Sequence, residues 1–313
     1  MSTLQATNLK HNASASNNIT LDSAGNATFA GNVTAAGNVN ATGMVVPSSS
    51  FLRNRIINGD MRIDQRNAGV TSTVSAGSFG YFTVDRWAVF SGGGSTQLQR
   101  VAGLSGFDSA LEIRPQAGTN QTNLEQRIEA TNCQDLVSAA ATVSGRFFAD
   151  GSGVTVLVSW YYPASRDNWS SVTFVPIETI TLSAGQHINY ARSFNTDANA
   201  ARGMGVVFDI RNAAGRTVRI TGVQLEVGSA ATPFERRLFG QELALCQRYY
   251  SENTSGYFPN NVAMAQYFKV SMRTAPTVTW AGAGGSISSI NTESFVGFSS
   301  SNATARWTAS SEL

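Results

Sequence analysis

The sequence predicts an all-β chain with an N-terminal trimeric β stalk, an antiparallel β-sandwich and a small C-terminal β knob, assembled as an intertwined homotrimer. Three observations carry that expectation. A six-residue repeat near the N-terminus keeps the period of a strand, not of a helix. From Phe51 onward, short apolar runs alternate with Gly, Ser and Asn breakers, without the intervening helices that a parallel sheet needs. Charged residues make up only 13% of the 313, against about 25% in ordinary soluble domains. Solubility therefore rests on Asn, Ser, Thr and Gly.

Residues 1–50 read as two parts, a polar attachment segment and a hexad-repeat stalk. The attachment segment has one short strand at 19–22. Ala24-Gly25-Asn26, Ala30-Gly31-Asn32 and Ala36-Gly37-Asn38 then recur at six-residue spacing. Gly-Asn pairs suit repeated corners where the backbone takes positive φ. Three such rungs bury too little alone, so three chains wound together would hide Phe29, Val33 and Val39 around a common axis. The alternative is a low-complexity linker.

Residues 51–237 form the main domain. Strand character marks 88–90, 110–114, 123–129, 154–162, 172–182, 204–210 and 218–227, with a helical turn near 131–136. In the run 154–162, Trp160 and Tyr162 share the face of Val154, Val156 and Val158 and read as core, while Tyr161 points the other way. Trp87 reads as buried. Residues 238–313 form a short helix at 238–249 and a C-terminal knob with strands at 264–272, 277–281, 286–290 and 303–308. Leu238, Leu245 and Tyr249 could present one stripe to a threefold axis, or the helix could pack on its own sandwich. Trp280 and Trp307 are expected at the trimer interface.

The composition excludes several classes. The net charge is +2, with Lys10 and Lys269 the only lysines and no basic stripe, so nucleic acid is not an expected partner. Two cysteines (Cys133, Cys246) and two histidines (His11, His187) cannot assemble a usual zinc site, and no metal or cofactor is expected. The cysteines read as buried thiols of a chain made in a reducing cytoplasm. No leader-like start and no apolar block of membrane-spanning length is present, so no membrane insertion is expected. The Asn-x-Ser/Thr triplets read as chance matches in an Asn-rich chain.

Certain stretches resemble a known family. NRIINGDMRIDQRNAG (54–69) and TVDRW (83–87) look like the start of a module of phage tail fibres. ITGVQLEVGSAATPFERR (220–237) is similar to that module's last strand and exit, and ELALCQRYY (242–250) resembles the junction before a C-terminal domain. The N-terminal stretch STLQATNLKHNASASNNITLDSAGNATFAGNVT looks like the head of cyanophage fibre and appendage proteins. The resemblance implies a jelly roll similar to carbohydrate-binding modules. It further implies a homotrimeric virion protein, a tail fibre or other surface appendage, anchored to other virion proteins by its N-terminal segment. Its partner would be lipopolysaccharide or another surface polysaccharide of the bacterial host. It supplies no sugar-site motif.

Sugar binding requires exposed aromatic faces and polar side chains for hydroxyls. Trp169, in the polar loop Arg166-Asp167-Asn168-Trp169, is the leading candidate, with Arg166, Asp167 and Asn168 as polar partners and Tyr161 lining the face. The alternative folds Trp169 back over the sandwich edge. Catalysis is not expected: a depolymerase needs paired carboxylates about 5–9.5 Å apart. Glu112, Glu125, Glu129, Asp135, Asp150, Asp167, Asp209, Glu226 and Glu235 are available, but no motif selects a pair. The reading is a fibre that recognises host glycans. The alternatives are a head fibre or decoration protein without a defined ligand, and a polysaccharide depolymerase.

Overall fold

The computed structural model describes residues 7–24, 26–30, 52–104, 106–281 and 285–313. The chain divides into two units, Met1–Pro47 and Ser48–Leu313.

In the first unit, β1 (Asn8–Leu9), β2 (Ile19–Leu21) and β3 (Ala27–Phe29) pair antiparallel in chain order. Asp22 shapes the β2–β3 turn. Its Oδ1 accepts from the Ala24 and Asn26 amides at 2.9 and 2.8 Å, and its Oδ2 accepts from the Asn26 side chain at 2.8 Å. None of the described residues in this unit is buried, and Phe29 is 49% exposed. Val33 and Val39, the other two expected stalk residues, lie outside the described residues.

The second unit contains a two-sheet sandwich. Its strands are β4 (Ser72–Val74), β5 (Phe79–Gly80), β6 (Ala88–Gly92), β7 (Thr96–Ala102), β8 (Ser109–Pro115), β9 (Gln121–Ile128), β10 (Ala140–Ala149), β11 (Val154–Ser165), β12 (Asn168–Leu182), β13 (His187–Asn195), β14 (Met204–Arg211) and β15 (Val218–Val227). One sheet runs β13-β10-β15-β8-β7-β4 and the other β12-β11-β14-β9-β6-β5. Strands β8 to β15 thus give four-stranded halves in the orders 8-15-10-13 and 9-14-11-12, with every ladder antiparallel. That double Greek key is a jelly roll. Strands β4 to β7 widen both sheets on one side.

Period-two patterning explains the core. Val154, Val156, Val158 and Trp160 of β11 and Val206, Phe208 and Ile210 of β14 point inward. They meet Trp87, Leu111, Val143, Phe147 and Leu225 from the rest of the sandwich. Strands β7, β10 and β13 have no counterpart among the expected strands. Their outward faces carry Gln97, Gln99, Ser144, Arg146 and Asn189. The turn expected near 131–136 is a pair of 3₁₀ turns, Ala130–Asn132 and Gln134–Leu136.

The stretches that carry the family resemblance converge in space. Asn58 accepts from the Ile63 amide at 3.0 Å and donates to the carbonyls of Ile63 (2.8 Å) and Asp85 (3.0 Å). The Trp87 indole donates to the Asn58 carbonyl at 3.0 Å. Asn54 receives the Leu225 amide at 3.1 Å, and Glu235 receives the Asn54 amide at 2.8 Å. These groups are buried or half-buried, so each bond satisfies a polar atom that water cannot reach.

Beyond the sandwich come α1 (Phe239–Gln247), β16 (Tyr250–Phe258), β17 (Ala263–Tyr267), β18 (Thr277–Ala281), β19 (Gly285–Ser288), β20 (Ser294–Ser299) and β21 (Ala303–Ser310). Two three-stranded sheets, β16-β21-β18 and β17-β20-β19, close over Phe258, Phe268, Phe295 and Trp307. The Trp280 ring lies 3.9 Å from that of Phe258, tilted by 51°. Both tryptophans therefore pack inside this small core within one chain, where the sequence suggests a contact between chains. The stripe expected on the helix is split as well. Leu238 is exposed, Leu245 half-buried, and Tyr249 turned into its own sandwich.

An ionic seam joins the C-terminal strands to the jelly roll. Arg86, 1% exposed and held at φ +72°, lies 3.5 Å above the Tyr249 ring, pairs with Glu312 and donates to the Arg127 carbonyl at 2.6 Å. Arg66 bridges Asp85 (3.3 Å) and Glu312 (2.8 Å) while covering Tyr250. Glu129 accepts from Arg248 at 3.0 Å and from the Tyr249 hydroxyl. Burial of Asp85 pushes its carboxyl up to about 6, against the pull of Arg66 and Gln65.

Candidate functional site

The outer face of the β12-β11-β14-β9 sheet carries a groove. Alternation sends Leu157, Ser159 and Tyr161 outward from β11, Val207, Asp209 and Arg211 from β14, and Gln121, Asn123, Glu125 and Arg127 from β9. Register then aligns them in rows across the sheet. Leu157, Asp209 and Asn123 form one row, and Tyr161, Gly205 and Arg127 another. Phe174 lies opposite Tyr161 and Pro176 opposite Ser159 on β12.

The groove encloses about 270 Å³ between Phe174 and Pro176 on one side and Asn123 and Gln121 on the other. Phe174 is 48% exposed, a large aromatic face left in water. On the groove floor Asp209 is only 8% exposed. Its Oδ2 accepts from Arg211 at 3.0 and 2.7 Å, while its buried Oδ1 has no hydrogen-bond partner. A buried carboxylate oxygen left unsatisfied is costly, and a donor brought in from outside recovers that cost. Gln121 donates to Asn123 Oδ1 at 3.1 Å, and both residues line the groove.

An aromatic ridge supports one end. Tyr161 lies across Gly205, where a Cβ would stand 2.2 Å from its ring. Its hydroxyl donates to Glu125 at 2.7 Å. Phe174 packs on Tyr161 at 5.0 Å and Trp169 meets it edge-on at 5.6 Å. Arg127 lies over both Trp169 and Phe79 and donates to Glu125 at 3.0 Å. Burial raises the Glu125 carboxyl, while Arg127 and the Tyr161 hydroxyl pull it down.

The five residues singled out from the sequence have distinct fates. Tyr161 does leave the core face, yet it is fully buried beneath Trp169 and Phe174 and has no surface for a ligand. Asp167, at φ +52° in the β11–β12 turn, accepts from the Ala130 amide at 2.8 Å and serves as a backbone brace. Trp169 is half-buried over Tyr161 and Arg127, with an indole N–H that is buried and unpartnered. Arg166 and Asn168 are exposed on the same turn. None of the five lines the groove.

The groove residues that sequence reasoning missed are Phe174, Asp209, Arg211 and Asn123. The visible signal was the alternation in β14, where Asp209 and Arg211 stand out of phase with Phe208 and Ile210. The acids weighed for catalysis are mostly paired instead: Glu112 with Arg219, Asp135 with Arg55, Asp209 with Arg211, and Glu129 with Arg248. Cys133 and Cys246 are buried free thiols, and burial pushes Cys133 up to about 12. Among the described residues no cluster of His, Cys, Asp and Glu could hold a metal ion, and no helix is long and apolar enough to cross a membrane.

No protein-family model and no curated protein matches the sequence. Among solved structures, TmCBM61 in complex with β-1,4-galactotriose aligns at TM-score 0.36 and 12% identity, over 56% of this chain and 99% of that one. A xylan-binding domain from Paenibacillus barcinonensis Xyn10C aligns at TM-score 0.34 and 10% identity, over 50% of this chain and 99% of that one. The enzymatically active domain of bacteriophage CBA120 tailspike protein 4 aligns at TM-score 0.36 and 15% identity. That alignment covers 56% of this chain and 22% of the tailspike chain.

Proposed function

We propose that the chain is a glycan-binding fibre protein of a phage virion, which docks host surface polysaccharide in the groove over β11, β14 and β9. The observation that carries this reading is the pairing of Phe174 with Asp209 Oδ1. An exposed aromatic face accepts the C–H face of a pyranose, and a buried unpartnered oxygen beside it accepts a sugar hydroxyl. Arg211 and the Asn123 amide supply further donors to ring and hydroxyl oxygens. A binding role fits better than hydrolysis, because Asp209 is tied to Arg211 at 2.7 Å and Glu125, farther along the same face of β9 and outside the groove, is held by Tyr161 and Arg127.

Homotrimeric assembly and attachment through residues 1–50 belong to the same proposal. They are supported by the hexad repeat and by the N-terminal three-stranded sheet, which buries no described residue and on its own lacks the covered face that a small sheet needs. Threefold display would raise weak single-site contacts through effective concentration.

The test is a host-glycan array read with the full chain, followed by titration calorimetry on the best ligand with Phe174→Ala and Asp209→Asn. Each variant is expected to weaken binding about tenfold, the size of one stacking or hydrogen-bond contact. No binding across the array would leave a structural appendage. Release of reducing ends from host polysaccharide would make it a depolymerase.

A further inference from the structure

The groove over β12, β11, β14 and β9 is shut at one end, and two glycines make that possible. Gly203 and Gly205 stand two residues apart at the entry to β14, so both leave the same outer face bare. A Cβ at Gly205 would stand 2.2 Å from the Tyr161 ring, and one at Gly203 would stand 3.2 Å from the Trp169 indole. An aromatic ring from a neighbouring strand therefore covers each position, and the two rings meet edge-on at 5.6 Å.

The barrier crosses the sheet. Tyr161 starts on β11 and its hydroxyl ends on Glu125 of β9 at 2.7 Å, with β14 between them. From Trp169 the line continues to the Arg127 guanidinium, 5.3 Å from the indole, and on to the Phe79 ring of β5, 4.8 Å from that guanidinium. Phe174 packs on Tyr161 at 5.0 Å and stands at the corner where barrier and side wall meet. Tyr161 is fully buried and Arg127 is paired with Glu125 at 3.0 Å, so both are held in place.

The other end is different. The groove floor runs from Ser159 and Val207, the row beside the barrier, past Asp209 to Arg211. From Val207 to Arg211 is about 13 Å at the rise of a strand. There the Arg211 side chain is 53% exposed, and Asn120 and Asn212 in the adjoining turns are exposed too.

A sugar within a chain carries a glycosidic bond on each side, so its neighbours must leave a groove at both ends. A terminal sugar carries one and can rest against a wall. We infer that this groove receives the terminus of a glycan chain, entering from the Arg211 end, and excludes stretches from its middle. This specificity rests on the glycan-binding role proposed above and names the part of the polymer that is recognised. Phe174 and the unpartnered Asp209 oxygen then meet the last units of the chain.

The test uses the full chain and host surface polysaccharide, cut and sized into fractions from single repeat units to the intact polymer. Calorimetry reads the molar ratio and the affinity per polysaccharide chain. The expected result is one protomer per chain at every length, with an affinity that stays level once the groove is filled. An internal site gives a ratio that climbs with length, because each added repeat is a new place to bind. A climbing ratio overturns the terminal assignment and leaves glycan binding standing, whereas binding to no fraction overturns both. The double variant Tyr161→Ala with Trp169→Ala removes the barrier and is expected to place several protomers on each long chain. A double variant that melts cooperatively yet keeps one protomer per chain would also overturn the assignment. Where the two truncations unfold the domain, the wild-type ratio decides alone.

Discussion

The hydroxyl of Tyr161 crosses the bare backbone of Gly205 to donate to Glu125 at 2.7 Å, linking β11 to β9 over the strand between them. Gly205→Ala would place a methyl group 2.2 Å from the ring. Tyr161 would have to rise, carrying Trp169 and Phe174 with it. The expected result is a loss of about 1–3 kcal/mol of stability, the usual cost of overpacking. Weaker glycan binding would accompany it. Urea denaturation and calorimetry on the same sample check both, and an unchanged denaturation midpoint would refute the arrangement.

Asp85 gives a pH signature. Its folded value of about 6 lies above the ordinary carboxylate value of 3.8. Between those values the folded chain holds a proton that the unfolded chain releases. The contribution is thus fully present below about pH 4 and is lost as pH rises through 6, amounting to about 3 kcal/mol. Asp85→Asn cannot titrate, so the stability difference between variant and wild type should grow from pH 4.5 to 7 and then level off. Urea midpoints across that range measure it; a difference independent of pH would count against the buried, proton-linked carboxyl.

Arg86→Met should loosen the seam. The change leaves Glu312 buried with Arg66 alone and removes the cover from Tyr249. Breaking one partner of a buried pair costs about 3–5 kcal/mol. The C-terminal strands are expected to become protease-sensitive before the jelly roll does. Simultaneous cleavage of both would show that the seam does not separate two levels of stability.

Light scattering checks the assembly. The full chain is expected at three times its 33.2 kDa, and a chain lacking residues 1–50 at the monomer mass. A persistent trimer without that segment would move the assembly contact to the sandwich or the C-terminal strands.

Much of the jelly roll was legible because β11 and β14 alternate cleanly. Val154, Val156, Val158 and Trp160 announce an inward face without any neighbour in view. Strand β10 was hidden because the register shift at Gly145 interrupts its alternation and Phe148 breaks the polar phase of its outward face. The groove was harder still. Asn123, Asp209 and Leu157 become neighbours only through the ladder order 9-14-11, which no local pattern encodes. A tryptophan among polar residues is unusual, which singles out Trp169, and the structure puts it in the ridge behind the groove. Phe174 lies inside an ordinary-looking strand, where nothing local marks it. Tyr161 was assigned to the correct side of β11, but its burial depends on Gly205, a residue with no side chain to betray it.

The Arg86–Glu312 pair joins positions 226 residues apart. During synthesis the jelly roll emerges long before that carboxylate does, with Arg86 and Arg66 already committed to its interior face. Until Glu312 arrives, Arg86 lacks its carboxylate and Arg66 has Asp85 alone. The nascent chain therefore passes through a stage in which every jelly-roll strand is present but its last charge is uncompensated. Closure of that seam is a contact of very high sequence separation, expected to form after the jelly roll has paired its strands.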